Sequence, residues 1–206
     1  MGSLGAVIES MGEREPTPRS LSAASPDREE KRREDDELVE RTRRGDMDAF
    51  EALYRRHSPA VFGLTLRMLQ NRADAEDLLQ EIFLQAYDRL PSFEGRSAFG
   101  TWLYRLSVNR CLDHLRSRTV KDRNRTEELA PEHSNAASSR GTSALSGLEL
   151  ERAIGELPPS SRAAFLLHHV AGFDHREVGE MMGIAVGTSK SLVHRARIRL
   201  KEVLGR

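Results

Sequence analysis

HREVGEMMGIAVGTSKSLVHRARIRL, residues 175–200, reads as two short helices joined by a tight turn. Asp174 stands where an N-cap is needed and Glu177 follows three residues later, a reciprocal pattern that satisfies two otherwise unpaired backbone donors. Val178, Met181 and Met182 recur at helical spacing. Gly183 supplies the stop, and Ile184 can plug the angle between the helices. In the second helix Val193, Ala196, Leu200 and Val203 or Leu204 form the inward stripe. Lys190, Ser191, His194, Arg195, Arg197 and Lys201 are left facing outward, and a basic helix face of this kind suits a DNA major groove. Ser189 falls on the inward stripe, where its small polar side chain predicts looser packing. Leu192, one turn from Ala196, is expected to fill that gap.

The charge pattern extends the reading. The chain of 206 residues carries 32 Lys and Arg against 32 Asp and Glu, so its formal net charge is zero and only the distribution is informative. From Val186 onward Glu202 is the single acid among six bases. A second basic stretch, Arg96 to Arg125, includes Arg105, Arg110, Arg116, Arg118, Lys121 and Arg123. Two separated basic patches point to two nucleic-acid contacts. From Ala73 to Asp88 the sign is reversed: Asp74, Glu76, Asp77, Glu81 and Asp88 appear with no Lys or Arg between them. Such a patch repels DNA and attracts a basic protein surface.

Residues 1–33 are rich in Ser, Pro, Glu and Arg with few large apolar side chains, which predicts a disordered tail. Helical pattern then begins at Leu38 and Val39 and continues through Ala49, Phe50, Leu53 and Tyr54. Pro59 marks a break or helix start. Val61, Phe62, Leu64, Leu66, Met68 and Leu69 make an apolar helix that Asn71 can terminate. Ala75, Leu78, Leu79, Ile82, Phe83, Ala86, Tyr87 and Leu90 keep one apolar face over the next helix, whose other face carries the acids. After the loop Pro91–Ser97 comes a helix from about Ala98 to Ser117 in which aromatics alternate with arginines, a combination that suits unstacked bases. Phe93 offers a ring, and Arg96 and Ser97 can donate to phosphates. Residues 119–145 show no helical period and predict a flexible linker. Leu148, Leu150, Ile154 and Leu157 open a second helical domain, interrupted by Pro158-Pro159. The fold expected is all-α, with two small helical domains joined by a flexible linker and a helix-turn-helix in the second.

Several chemistries are not expected. His168, His169, His175 and His194 match no zinc spacing, Cys111 is the sole thiol, and no glycine-rich phosphate loop or nucleophile motif occurs, so neither a metal, a cofactor nor an active site is predicted. Met1–Ser10 lacks the basic and apolar regions of a secretory signal, and a cytoplasmic location is expected.

Three segments together carry a family resemblance: DAEDLLQEIF at residues 74–83, FGTWLYRLSVNRCLDHLR at 99–116 and VGTSKSLVHRAR at 186–197. In this order, with a linker before the third, the chain resembles the extracytoplasmic-function (ECF) sigma factors of the sigma-70 family of bacterial RNA polymerase. The resemblance implies sigma region 2 in 34–118 and sigma region 4 in 146–206. It implies core polymerase binding through Asp74, Asp77, Gln80 and Glu81. It implies recognition and opening of the promoter −10 element through Phe93, Arg96, Ser97, Thr101, Arg105, Asn109 and Arg110. Thr188, Lys190, Ser191, His194, Arg195 and Arg197 would serve the −35 duplex. Many members are held by an anti-sigma factor, which makes such a protein a candidate partner. The alternative is a stand-alone helix-turn-helix regulator, which would leave the acidic helix and the aromatic-basic helix without a task.

A relaxed coil of the linker's length spans about 30 Å and cannot exceed about 90–100 Å. Domains placed about 70 Å apart on a promoter would stretch it, so polymerase is expected to hold them in register.

Overall fold

The computed structural model describes residues 26–126 and 147–205. Eight α-helices and no strand occur among the described residues: α1 (Pro26–Arg43), α2 (Met47–Leu69), α3 (Arg72–Arg89), α4 (Phe99–Thr126), α5 (Gly147–Gly155), α6 (Pro159–Phe165), α7 (His175–Met182) and α8 (Val186–Leu204). A 3-10 turn at Leu90–Ser92 follows α3, and a π-helical turn at Leu166–Val170 continues α6. The first four helices close around Leu53, Val61, Met68, Leu78, Ile82, Phe99 and Leu103; the last four close around Leu150, Ile154, Leu157, Phe165, Val193 and Leu200. Cys111 is buried, and burial pushes its thiol up to about 12.

Helix boundaries depart from the sequence reading in four places. α1 starts at Pro26, within the stretch expected to be a disordered tail. Val39, with Leu38 beside it, packs its C-terminal half into the core, and its N-terminal half is held by ion pairs: Arg56 of α2 reaches Glu34 and Asp35, each at 2.7 Å, and His57 Nε2 meets Asp35 at 2.9 Å. Residues 1–25 lie outside the described residues. α4 runs to Thr126, through residues expected to begin the linker. No Gly or Pro interrupts this stretch before Pro131, and extending a formed helix avoids the cost of nucleation. The rest of the linker, 127–145, lies outside the described residues, as does Ser146. Pro59 neither breaks nor starts a helix but sits inside α2. Leu53 and Val61, fully buried on either side of it, anchor both halves against the same core, so packing overrides the local penalty. Asn71 is the N-cap of α3, its side chain accepting from the Asp74 N–H at 3.2 Å, while Gln70 in the left-handed region ends α2.

The two units are packed together. Arg162 of α6 is buried, and its guanidinium donates to the carbonyls of Ile154 and Leu157 at 3.0 Å, and to those of Gly155 and, in the first unit, Met68. That last acceptor belongs to the exposed-carbonyl end of α2, where a cation is favoured. Nearby, Arg67 pairs with Glu151 at 2.9 Å. On the other side of the junction α7 lies against α4, and Tyr104 meets Phe173 edge-on at 5.5 Å. Burial raises the Tyr104 phenol above its ordinary value.

Candidate nucleic-acid interface

The helix-turn-helix is built as its sequence requires. Asp174 Oδ1 accepts from the Glu177 N–H and Glu177 Oε2 from the Asp174 N–H, both at 2.8 Å. Gly183 closes α7 at φ 66°. Gly179 is needed for a different reason: a Cβ there would lie 2.8 Å from the backbone oxygen of Ile184, so only glycine lets the turn close onto α7. Leu192, Val193, Ala196 and Leu200 face inward. Ser189 is fully buried, but its site is not loosely packed: its hydroxyl is hydrogen-bonded with His175 Nδ1 at 3.0 Å. The His175 ring stacks on His168 at 4.1 Å, and His168 Nδ1 meets the Phe173 carbonyl at 2.8 Å. A polar chain thus runs from α8 back to the turn before α7.

Thr188, Lys190, Ser191, His194 and Arg195 are exposed along the outer face of α8. Arg197 is half-buried beside His169, at the edge of that face. Ser191 donates its hydroxyl to the Gly187 carbonyl at 2.9 Å, and Arg195 Nε donates to the Ser191 carbonyl at 3.3 Å. No side chain caps the first turn of α8. The surface therefore combines a positively charged helix face with open backbone donors at its start, which fits a polyanion.

On α4, Thr101, Arg105 and Asn109 follow each other at four-residue steps and form one face, with Arg105 and Asn109 exposed and Thr101 half-buried. Arg96 stands exposed in the preceding loop, 2.5 Å from Glu94, and Ser97 is half-buried. Phe93 departs from expectation. Its ring is 6% exposed and packs on Phe99 at 6.1 Å and Trp102 at 5.2 Å, so it is held in the core instead of being offered to a base. Trp102, one of the aromatics that alternate with arginines on α4, is half-buried and is the ring of this cluster nearest the surface.

Asp74, Asp77, Glu81, Leu84 and Asp88 alternate three- and four-residue steps along α3 and make a single stripe, with Gln80 beside it. Leu84 is 67% exposed in the middle of this acidic face. The sequence reading missed it, although its spacing from Glu81 marks it. The stripe is also not without compensating bases, as the run of α3 alone suggests: Arg110 pairs with Glu81, and Arg118 with Asp74 at 2.9 Å, both reaching across from α4. Among the described residues no group of His, Cys, Asp or Glu is arranged to hold a metal, and no helix is long and apolar enough to cross a membrane.

The Sigma-70 region 2 family matches residues 53–120, and the Sigma-70, region 4 family matches residues 147–200. The chain is 33% identical over 187 residues to the RNA polymerase sigma-H factor of Pseudomonas aeruginosa, covering 83% of this chain and 94% of that one. It is 34% identical over 173 residues to the ECF RNA polymerase sigma factor SigM of Mycobacterium tuberculosis, covering 84% and 86%. Among solved structures, the sigma factor RpoE of Bartonella quintana, seen in complex with the anti-sigma factor NepR, superposes with a TM-score of 0.63 at 27% identity, covering 76% of this chain and 96% of that one. A stand-alone regulator would not account for the first unit, which these matches include. With both units matched in order and along nearly the whole length of these relatives, the chain belongs to the ECF group of the sigma-70 family of RNA polymerase sigma factors.

Proposed function

We propose that the α3 stripe docks on core RNA polymerase, that α4 with its preceding loop holds the opened −10 strand, and that the outer face of α8 reads the −35 duplex. As a sigma factor the chain directs core polymerase to specific promoters and initiates transcription there. The observation that carries the division of labour is the separation of sign: one exposed acidic stripe with an apolar centre at Leu84, and two basic faces on other helices. A basic protein surface fits the first, and DNA fits the others. Asp74, Asp77, Gln80 and Glu81, with Leu84 as an apolar anchor, form the polymerase contact. Arg96, Ser97, Thr101, Arg105, Asn109 and Arg110 contact the opened strand, with Trp102 in place of Phe93 as the ring a flipped base can reach. Thr188 and Lys190 hold phosphates, Ser191, His194 and Arg195 face base edges, and Arg197 supports from the rim.

The domains correspond to region 2 in 34–118 and region 4 in 146–206. Strand opening needs no catalytic group, so the chain acts without enzymatic activity or cofactor, in the cytoplasm where polymerase works. An anti-sigma factor is a further partner, as for the Bartonella quintana relative. The test is multi-round transcription on genomic fragments with purified core polymerase, with and without this chain, mapping RNA 5′ ends. Discrete starts that require the chain are expected, and their upstream DNA reveals the promoter. A folded chain that neither binds core polymerase nor creates such starts would overturn the assignment.

A further inference from the structure

The acidic stripe of α3 and the basic face of α4 share their charges. Glu81 is paired with Arg110 and Asp74 with Arg118, two turns further along α4, whereas Asp77 and Asp88 of the same stripe have no such partner among the described residues. The seam between the helices is incompletely satisfied: Arg110 Nε and Gln85 Oε1, the latter one turn past Glu81, are buried without a hydrogen-bond partner. Buried polar atoms are ordinarily paired, so this seam is a place where a different arrangement can compete.

We propose that the two ion pairs form a latch between the two binding surfaces. In the free chain Glu81 and Asp74 neutralise Arg110 and Arg118. A basic polymerase surface that engages the two carboxylates releases both guanidiniums to the phosphates of the opened strand. The inference rests on the assignment of the α3 stripe to polymerase and of α4 to DNA. Phosphate and carboxylate compete for the same guanidinium, and polymerase and arginine compete for the same carboxylate. Both competitions make polymerase and strand binding mutually favourable, and by linkage each ligand strengthens the other equally. Ion pairs this exposed couple modestly, which corresponds to about a two- to fivefold change in affinity for each pair.

The experiment measures binding of the full chain, without polymerase, to a fluorescein-labelled mixed-sequence single strand of about 20 nucleotides, long enough for one basic groove. The variants are D74N/E81Q, R110Q/R118Q, the combination of all four, and D77N/D88N, which removes the same charge from unpaired positions. D74N/E81Q is expected to bind the strand about twofold to tenfold more tightly than D77N/D88N does, and this excess is expected to vanish in the R110Q/R118Q background. R110K/R118K is expected to restore it. An excess that is absent, or that survives loss of the arginines, overturns the latch. The affinity of D77N/D88N for core polymerase is read separately. Because neither acid takes part in the pairs, unchanged polymerase binding there overturns the surface assignment itself, whatever the strand measurements give.

Discussion

His169 is held well below the ordinary range of a histidine. Burial, then the neighbouring charges of His168, Arg197 and His175, lower it from 6.5 to about 4. Its Nε2 is buried without a hydrogen-bond partner, and the ring lies against Phe165 at 4.9 Å and His168 at 4.8 Å. A depressed histidine means that the folded chain keeps the neutral ring while the unfolded chain takes up a proton first as pH falls. This contribution to stability is therefore complete above about pH 6.5 and is lost progressively towards pH 4. Because the ring is only half-buried, the loss is expected to be on the order of 2 kcal/mol, less than full burial would give. His169→Phe keeps an aromatic against Phe165 and removes the titration. The difference in melting temperature between His169→Phe and the parent chain should widen in the variant's favour between pH 7 and pH 4; parallel curves would mean that the proton is bound equally in both states. Carboxylate protonation acts on both proteins and cancels from the comparison.

At the scale of elements, the angle between α7 and α8 depends on one missing Cβ. Adding it in Gly179→Ala brings a methyl to 2.8 Å from the Ile184 backbone oxygen, an atom that cannot swing aside as a side chain would. We expect a destabilisation of about 1–3 kcal/mol, with a weakened grip on −35 duplex DNA because the recognition helix is re-aimed. Thermal melting and holoenzyme binding to promoter fragments check this, and a variant that melts and binds like the parent would show that the turn has slack. The contrast with other elements explains what was legible in sequence. The capping box at Asp174 and Glu177, the stop at Gly183 and the single-faced α3 are local: their partners lie within a turn or two, so spacing alone reveals them. Periodicity shows α1 only from Leu38 and Val39 on; its earlier turns escape the same reading because their partners, Arg56 and His57, are 22 residues away. Phe93 was assigned to DNA because loop position and residue type say nothing of the Phe99 and Trp102 rings that enclose it. Ser189 looked like a packing defect for want of His175, and the acidic stripe looked uncompensated because Arg110 and Arg118 lie on the following helix. These four misses are polar or aromatic contacts between elements, and periodicity carries no information about those.

At the scale of the whole molecule, the packed arrangement of the two units conflicts with simultaneous promoter contact. Arg162 binds the Met68 carbonyl, Arg67 pairs with Glu151, and Tyr104 packs on Phe173, so the units touch. On a promoter the −10 and −35 contacts are separated by about two turns of DNA, roughly 70 Å. The junction must therefore open, and whatever stabilises it lowers apparent promoter affinity by the fraction of molecules that are closed. In the proposed docking on α3, core polymerase is placed to select the open form. Distance labels can read this directly. Cys111 is buried with its thiol pushed to about 12, so it resists maleimide chemistry, and cysteines introduced at exposed Glu51 and Lys201 take the dyes. Energy transfer is expected to be high in the free chain and to fall when core polymerase and promoter DNA are added together. Glu151→Arg, which sets two like charges against each other at Arg67, combined with Tyr104→Ala, which removes the ring beneath Phe173, should lower transfer in the free chain. The same pair of changes should tighten promoter binding by holoenzyme, since less of the binding energy is used to open the junction. Unchanged transfer on forming the promoter complex would mean that the units stay docked and that both DNA elements are reached from the closed form.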